Sequence, residues 1–239
     1  MAGPAWLILP TYNEAENLEP LVLAARAALQ RSAPEEGFRV LVVDDASPDG
    51  TGAIADDLAA RFEEVRVLHR AGKEGLGRAY VAGFDVALRE GAGYVMEMDS
   101  DFSHDPDDLP RLLAAARDGA DLVLGSRYVP GGGVPEWPLL RRAVSRGGCW
   151  YARRVLGLPQ RDLTGGFKCF RRATLEGIEL PSVRSEGYAF QIELTYRAVQ
   201  RGFRVVEVPI TFHERREGTS KMSGRIALEA ILRVPQMRG

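Results

Sequence analysis

The chain has 239 residues, 45% of them apolar and 27% charged, a composition that excludes collagen, coiled coil and wholesale disorder. A chain of this length buries a sizeable core without disulfide or metal staples. With 31 Lys and Arg against 33 Asp and Glu the formal net charge is −2, which argues against nucleic-acid binding through bulk charge.

The first half alternates between two periodicities. Residues 5–10 read as a strand, 14–31 as a helix with Leu18, Leu21, Val22, Ala25 and Leu29 on its apolar face, and 38–45 as a second strand. A helix over 51–63, a strand over 65–69 and a helix over 76–90 follow, then a strand at 94–99, a helix at 107–117 and a strand at 121–126. Near-continuous Val/Ile/Leu strands separated by helices predict an α/β fold, a mainly parallel sheet flanked by helices on both faces. Such sheets bind ligands at the carboxyl ends of their strands.

The loop at 130–138 (PGGGVPEWP) breaks this rhythm. A mixed apolar and basic segment over 139–156 follows, then 162–170, a helix at 186–201, a strand at 205–212 and a last helix at 223–232. No internal repeat or low-complexity tail interrupts the chain, so 1–239 reads as a single catalytic domain. Cys149 and Cys169 fit neither a disulfide framework nor a zinc pattern, and a reducing interior is the simplest setting. No stretch approaches the roughly 18–20 apolar residues of a membrane span, and the start reads as a strand rather than a secretion leader. The expected location is the cytoplasm.

Acidic residues fall at strand ends. Val40–Val43 run into Asp44 and Asp45, and the strand at 94–98 runs into Asp99-Ser100-Asp101. If both strands are parallel neighbours, their carboxylates converge on one rim and raise one another's pKa. A hard divalent cation, Mg²⁺ or Mn²⁺, removes that repulsion. The i, i+2 spacing of Asp99 and Asp101 points both the same way in an extended segment. The competing reading is a solvated loop entering a helix, with Asp105–Asp108 as caps. Tyr12 can lie over a base or ribose and Glu14 can accept base N–H groups. Asn13 with Glu16 instead reads as a capping-box start of the first helix.

Five motifs in order, PTYNE, DDASPDGT, MDSD, GSRY at Gly125–Tyr128 and GTSKM at Gly218–Met222, resemble the family 2 glycosyltransferases, and within them the dolichol- or polyprenol-phosphate mannosyltransferases. The resemblance runs from about Pro10 to Lys221. It implies a GT-A fold with residues 1–128 as the nucleotide-sugar half and 129–239 as the acceptor half, a Mg²⁺ or Mn²⁺ cofactor, and inversion at the sugar carbon. On this sequence, Pro10, Tyr12, Glu14, Val43 and Asp45 would line the nucleotide pocket. Asp99 and Asp101 would hold the metal, with the Ser100 backbone beside it. Ser103 stands where some relatives carry a glutamine ligand, which leaves the third ligand open. Arg127 would face phosphate, and Arg215 and Lys221 would close over the donor as part of a lid. Asp101, Arg127 and Arg141 are the candidate catalytic residues, with Arg141 on the acceptor phosphate and Asp162 in an orienting role.

The implied reaction moves mannose from GDP-mannose to dolichyl or polyprenyl phosphate, with the protein peripheral on the cytoplasmic face of the membrane, although these motifs do not separate GDP-mannose from UDP-glucose. From Trp137 to Arg161 six arginines, Arg141, Arg142, Arg146, Arg153, Arg154 and Arg161, interleave with Trp137, Leu139, Leu140, Val144, Trp150, Tyr151, Val155 and Leu156, with no acid. That pattern suits a basic amphipathic segment lying on a membrane surface; the alternative is a helix packed on the core. A nucleic-acid partner is not expected, and a membrane-embedded partner subunit remains open. A phosphorelay receiver domain also places acids at two strand ends, but it is much shorter and leaves Tyr12, Arg127 and the arginine segment without a role. His69, His104 and His213 share no metal spacing and read as surface or loop residues. The Gly72–Gly77 loop lacks Walker spacing and reads as a backbone approach to the nucleotide.

Overall fold

The computed structural model describes residues 3–32, 37–215 and 231–238. Its strands are β1 (Ala5–Thr11), β2 (Phe38–Asp44), β3 (Val65–His69), β4 (Tyr94–Glu97), β5 (Leu122–Ser126), β6 (Lys168–Arg171) and β7 (Val205–Pro209). The helices are α1 (Ala15–Ser32), α2 (Thr51–Arg61), α3 (Leu76–Arg89), α4 (Leu109–Arg117), α5 (Leu139–Leu156), α6 (Arg172–Gly177) and α7 (Gly187–Gln200). The sheet order is β3-β2-β1-β4-β6-β5-β7. All pairings are parallel except those of β6, which runs against both β4 and β5.

The strong pattern of β1 and β2 follows from burial on both faces. All seven residues of β1 are buried, Leu7 and Leu9 toward one core and Trp6 and Ile8 toward the other. One core packs α1, α2 and α4 on the sheet and the other packs α3 and α7. A third, smaller cluster joins Ala152 and Leu156 of α5 to Ile192 of α7 and Val234. The mixed apolar and basic segment over 139–156 forms one helix, α5, whereas α6 was not anticipated. Of the expected last helix only 231–232 fall among the described residues, where 231–236 are helical. Ile231 and Leu232 there are exposed.

The register carries the carboxylates to one rim. Thr11 pairs with Asp44 in the β1–β2 ladder, and Ile8 pairs with Glu97 in β1–β4. Asp45 and Asp99 therefore emerge on either side of the Thr11–Tyr12 turn.

Candidate active site

The loops after β1, β2, β3 and β4, with the start of α7 and Arg215, build a cavity of about 260 Å³ lined by Pro10, Tyr12, Glu14, Asp45, Lys73, Gly75, Asp99, Ser100, Asp101, Glu186 and Arg215, among others. The loops after β1, β2 and β4 each carry a non-glycine residue in the left-handed region: Asn13 (φ 56°), Ala46 (φ 56°) and Phe102 (φ 60°). Such residues cost about 1–2 kcal/mol each and are held by their surroundings. Here the restraint is a set of cross-loop hydrogen bonds. Ser100 Oγ donates to the Pro10 carbonyl at 2.9 Å, and Asn13 N donates to Ser47 Oγ at 3.0 Å. Asp44 accepts from Thr11 Oγ1 and from the Ser47 hydroxyl, so it orients the loop, as its position suggests.

The expected Asn13–Glu16 capping box is corrected. The first turn of α1 is served from the neighbouring loop: Glu14 N donates to Thr51 Oγ1 at 2.9 Å and Ala15 N to Asp49 Oδ2 at 3.1 Å. With its backbone left-handed, Asn13 leaves that position to side chains far away in sequence.

Asp45 is buried, and Arg70 donates to its Oδ1 at 2.6 Å. Burial raises its pKa and Arg70 opposes the rise. The Lys73 ammonium lies 4.1 Å over the Tyr12 ring. Gly75 (φ +107°) brings the loop against Glu186, where a Cβ would meet the carboxylate at 2.6 Å, and Gly77 N donates to Glu186 Oε2 at 3.1 Å.

Asp99 and Asp101 close the deep end of this cavity. Burial first, then the charges of Asp101 and Glu97, push Asp99 up to about 7, while Tyr80 donates to its Oδ1 at 3.3 Å. Asp101 pairs with Arg215 at 2.9 Å. Behind them Glu97 and Lys168, cross-strand partners in β4 and β6, form a fully buried ion pair at 3.0 Å, and Lys168 also donates to Gln191 Oε1. Burial drives each member toward its neutral form, and the partner's charge opposes this.

Among the described residues no group of three or more His, Cys, Asp and Glu side chains could hold a metal ion. Two crowded carboxylates fit an ion that takes its other ligands from phosphate and water, the habit of Mg²⁺, rather than a protein cage.

A second, narrower cavity of about 110 Å³ shares Leu76, Asp99, Asp101, Gly187 and Arg215 with the first, and is otherwise lined by residues such as Arg127, Trp137, Arg141 and Thr164. Arg127 is buried and forked onto Asp162, with Nε–Oδ2 and Nη2–Oδ1 both at 2.7 Å. Burial would lower its pKa, but the Asp162 carboxylate more than reverses this and raises it. The Asp162 carboxyl is correspondingly lowered by Arg127 against its own burial. Asp162 thus orients Arg127, as expected of it. Half-exposed Arg141 bonds Glu214 at 2.5 Å and stacks 4.0 Å from the Trp137 ring centroid.

Two expectations on this side are overturned. Trp137 is buried beside Arg127 and Arg141 rather than offered to a membrane. His104 does lie in the loop after β4, but it is buried between Phe167 and Phe212 rather than on the surface, and burial lowers it to about 4. His69 lies exposed beside Asp56, and His213 half-buried beside Glu136.

Pro10, Tyr12, Glu14, Asp45, Asp99, Ser100, Asp101 and Arg215 therefore line one cavity, and Arg127 and Arg141 the next. Val43 does not. Its side chain is fully buried among Trp6, Ile8 and Leu41, because it alternates to the α3 face, and only its carbonyl approaches the site, accepting from Thr11 Oγ1 at 3.4 Å. Lys221 and the GTSKM motif lie outside the described residues. Sequence reasoning missed Glu186, Gly187, Tyr188 and Gln191 of the α7 entrance, Thr164 and Lys73 as lining residues. Only Lys73 carried a signal, the Gly-rich loop around it.

Residues 6–178 match the model of Glycosyl transferase family 2. The chain belongs to this family. That membership removes the receiver alternative. Among relatives of this family 2 chain, polyprenol monophosphomannose synthase of Mycolicibacterium smegmatis is 52% identical over 96% of the chain and 85% of its own length. Undecaprenyl-phosphate mannosyltransferase of Micrococcus luteus is 52% identical over 95% of the chain and 90% of its own length. In three dimensions the family 2 chain resembles glucosyl-3-phosphoglycerate synthase of Mycobacterium tuberculosis, solved with Mn²⁺, UDP-glucose and phosphoglyceric acid. The TM-score is 0.74 at 19% identity, over 99% of this chain and 80% of that one, a likeness of fold that matches the expected GT-A architecture.

Proposed function

We propose that this glycosyltransferase moves mannose from GDP-mannose to a polyprenyl phosphate, with inversion, at a membrane surface. The observation that carries the reading is the pair Asp99 and Asp101 at the junction of two cavities, one lined by Tyr12 and Asp45 and the other by arginines. Two relatives at 52% identity named for transfer to polyprenyl phosphates support the acceptor class.

Tyr12 and Asp45 bind the nucleoside, and the diphosphate lies toward Asp99 and Asp101. These two carboxylates would hold Mg²⁺ or Mn²⁺, whose charge offsets that of the departing diphosphate. The acceptor enters the second cavity, where Arg127, locked by Asp162, and Arg141 orient its phosphate. A phosphate oxygen is already anionic, so positioning and charge stabilisation suffice without a strong general base. The oxygen attacks the anomeric carbon from the face opposite the diphosphate. The new C–O bond forms as the bond to the β-phosphate oxygen breaks, and the electron pair leaves with GDP. Arg215, bonded to Asp101, guards the junction of the two cavities and excludes water.

Among the described residues no helix is long and apolar enough to cross a membrane. On α5, however, Leu139 (81% exposed), Leu140 (77%), Val144 (64%) and Trp150 (62%) project outward beside arginines. This face rests on an anionic bilayer.

A donor panel of GDP-mannose, UDP-glucose and UDP-GlcNAc with a short polyprenyl phosphate and Mn²⁺ tests the chemistry. Transfer from GDP-mannose alone is expected, and preference for a uridine donor would overturn the assignment. Flotation with phosphatidylglycerol vesicles should weaken with salt; indifference to salt would remove the bilayer contact.

A further inference from the structure

Two surface grooves outside the catalytic cavities are lined by arginines and by no carboxylate. One, of about 380 Å³, is walled by Arg127, Arg142, Arg146, Thr211 and the 131–135 loop. The other, of about 350 Å³, is walled by Tyr128, Arg146, Trp150, Arg153 and Arg161. They form a series: Arg127 is common to the catalytic cavity and the first groove, and Arg146 is common to both grooves.

The helix geometry explains the alignment. Arg142, Arg146 and Arg153 are spaced i, i+4, i+11 on α5, which at about 100° per residue places them within an arc of about 40°. They run along the border between the buried Cys149–Leu156 face and the exposed Leu139–Trp150 face. Among the described residues none of Arg146, Arg153 and Arg161 pairs with a carboxylate. Arg153 Nε is buried with no hydrogen-bond partner among the described residues, and Arg146 lies 5.5 Å from the Tyr128 ring centroid. The neighbouring carboxylates are engaged elsewhere, Asp162 on Arg127 and Glu207 on the backbone N–H groups of Arg161 and Asp162.

We propose that Arg146, Arg153 and Arg161, with Tyr128 and Trp150, form a staging site for the phosphate of the lipid acceptor, from which it passes along Arg146 and Arg142 to Arg127. This inference rests on the polyprenyl phosphate reading above. Converging guanidinium groups match a phosphate oxygen set through charge-assisted hydrogen bonds. The exposed Trp150 in the same groove gives the prenyl chain an apolar neighbour. The shared wall residues, Arg146 between the grooves and Arg127 between the first groove and the catalytic cavity, favour the acceptor over a bulk phospholipid headgroup, which would need no series of arginines leading inward.

The test uses a short, water-soluble prenyl phosphate, so that no bilayer is present, and compares wild type with Arg153→Ala/Arg161→Ala. Calorimetry reads acceptor binding independently of turnover. The variant should bind the acceptor about tenfold more weakly and show a matching rise in its KM, with kcat and the donor KM within about twofold. Should the double variant misfold, Arg161→Glu, at an exposed position, carries the same expectation. Unchanged acceptor binding and KM overturn the staging site, and they do so equally if only flotation on phosphatidylglycerol vesicles is lost, since the arginines then hold headgroups. If wild type transfers no sugar to the prenyl phosphate, the functional reading falls and the staging site with it. Turnover by wild type with an indifferent variant removes the staging site alone.

Discussion

The two catalytic cavities handle charge in opposite ways. On the donor side Glu97, Asp99 and Asp101 crowd together, and burial with like charge pushes Asp99 up to about 7. On the acceptor side the buried Arg127 is matched by Asp162 through two side-chain hydrogen bonds. The first arrangement works against stability and is suited to a cation brought by a ligand; the second is complete in itself. Mutations on the two sides should therefore separate activity from folding.

The largest expected effect is on stability. Asp162→Ala strands a buried guanidinium and should cost about 3–5 kcal/mol in denaturant unfolding. The double variant Arg127→Met/Asp162→Leu should recover most of that loss yet stay inactive. If the single variant unfolds like wild type, the pair does not hold the acceptor side together.

Asp101→Asn should do the reverse. Transfer should fall by about 10²–10³-fold, the usual scale for removing a charge-stabilising group, while the melting temperature holds because the repulsion relieved on Asp99 offsets the lost pair with Arg215. A lower melting temperature for Asp101→Asn would show that the donor-side crowding is not the liability described. Arg141→Ala, at a half-exposed position, should raise the KM for the lipid phosphate about tenfold and leave the donor KM unchanged. Equal losses for both substrates would blur the division between the cavities.

The smallest effect concerns the loops that shape the donor rim. Burial would raise the Asp49 pKa, but hydrogen bonds from Thr51 and Ala15 outweigh it and lower it below 3.8. A carboxylate lowered in the folded state adds stability that is complete above its unfolded pKa and is lost as pH falls through the folded value. Asp49→Ala should therefore cost about 0.5 kcal/mol at pH 7, the low end for an exposed cap. The difference from wild type should shrink once the pH drops below 3.8, read from melting temperatures over a pH series. A gap that is constant with pH would show that the hydrogen bonds, not the charge, matter.

Much of the donor side was legible because its information is local. An apolar strand ending in acids, as at Val43–Asp44–Asp45 and Glu97–Asp99–Asp101, announces both the element and the rim on which its carboxylates appear. Val43 shows the limit: in a strand buried on both faces, apolar pattern does not tell which side chains turn toward a ligand. Trp137 shows another, since an aromatic among arginines has the same sequence signature whether it meets lipid or stacks under Arg141.

The sequence alone determined the alternation of strands and helices in the first half and the end of the sheet that carries the acids, both of which follow from residue periodicity and chain direction. Only the tertiary structure decided that Asp49 and Thr51 serve α1, that Glu97 meets Lys168 across an antiparallel seam, and that Arg127 is held by Asp162. These are contacts between distant segments, and their free energy comes from burial and register that no local pattern records.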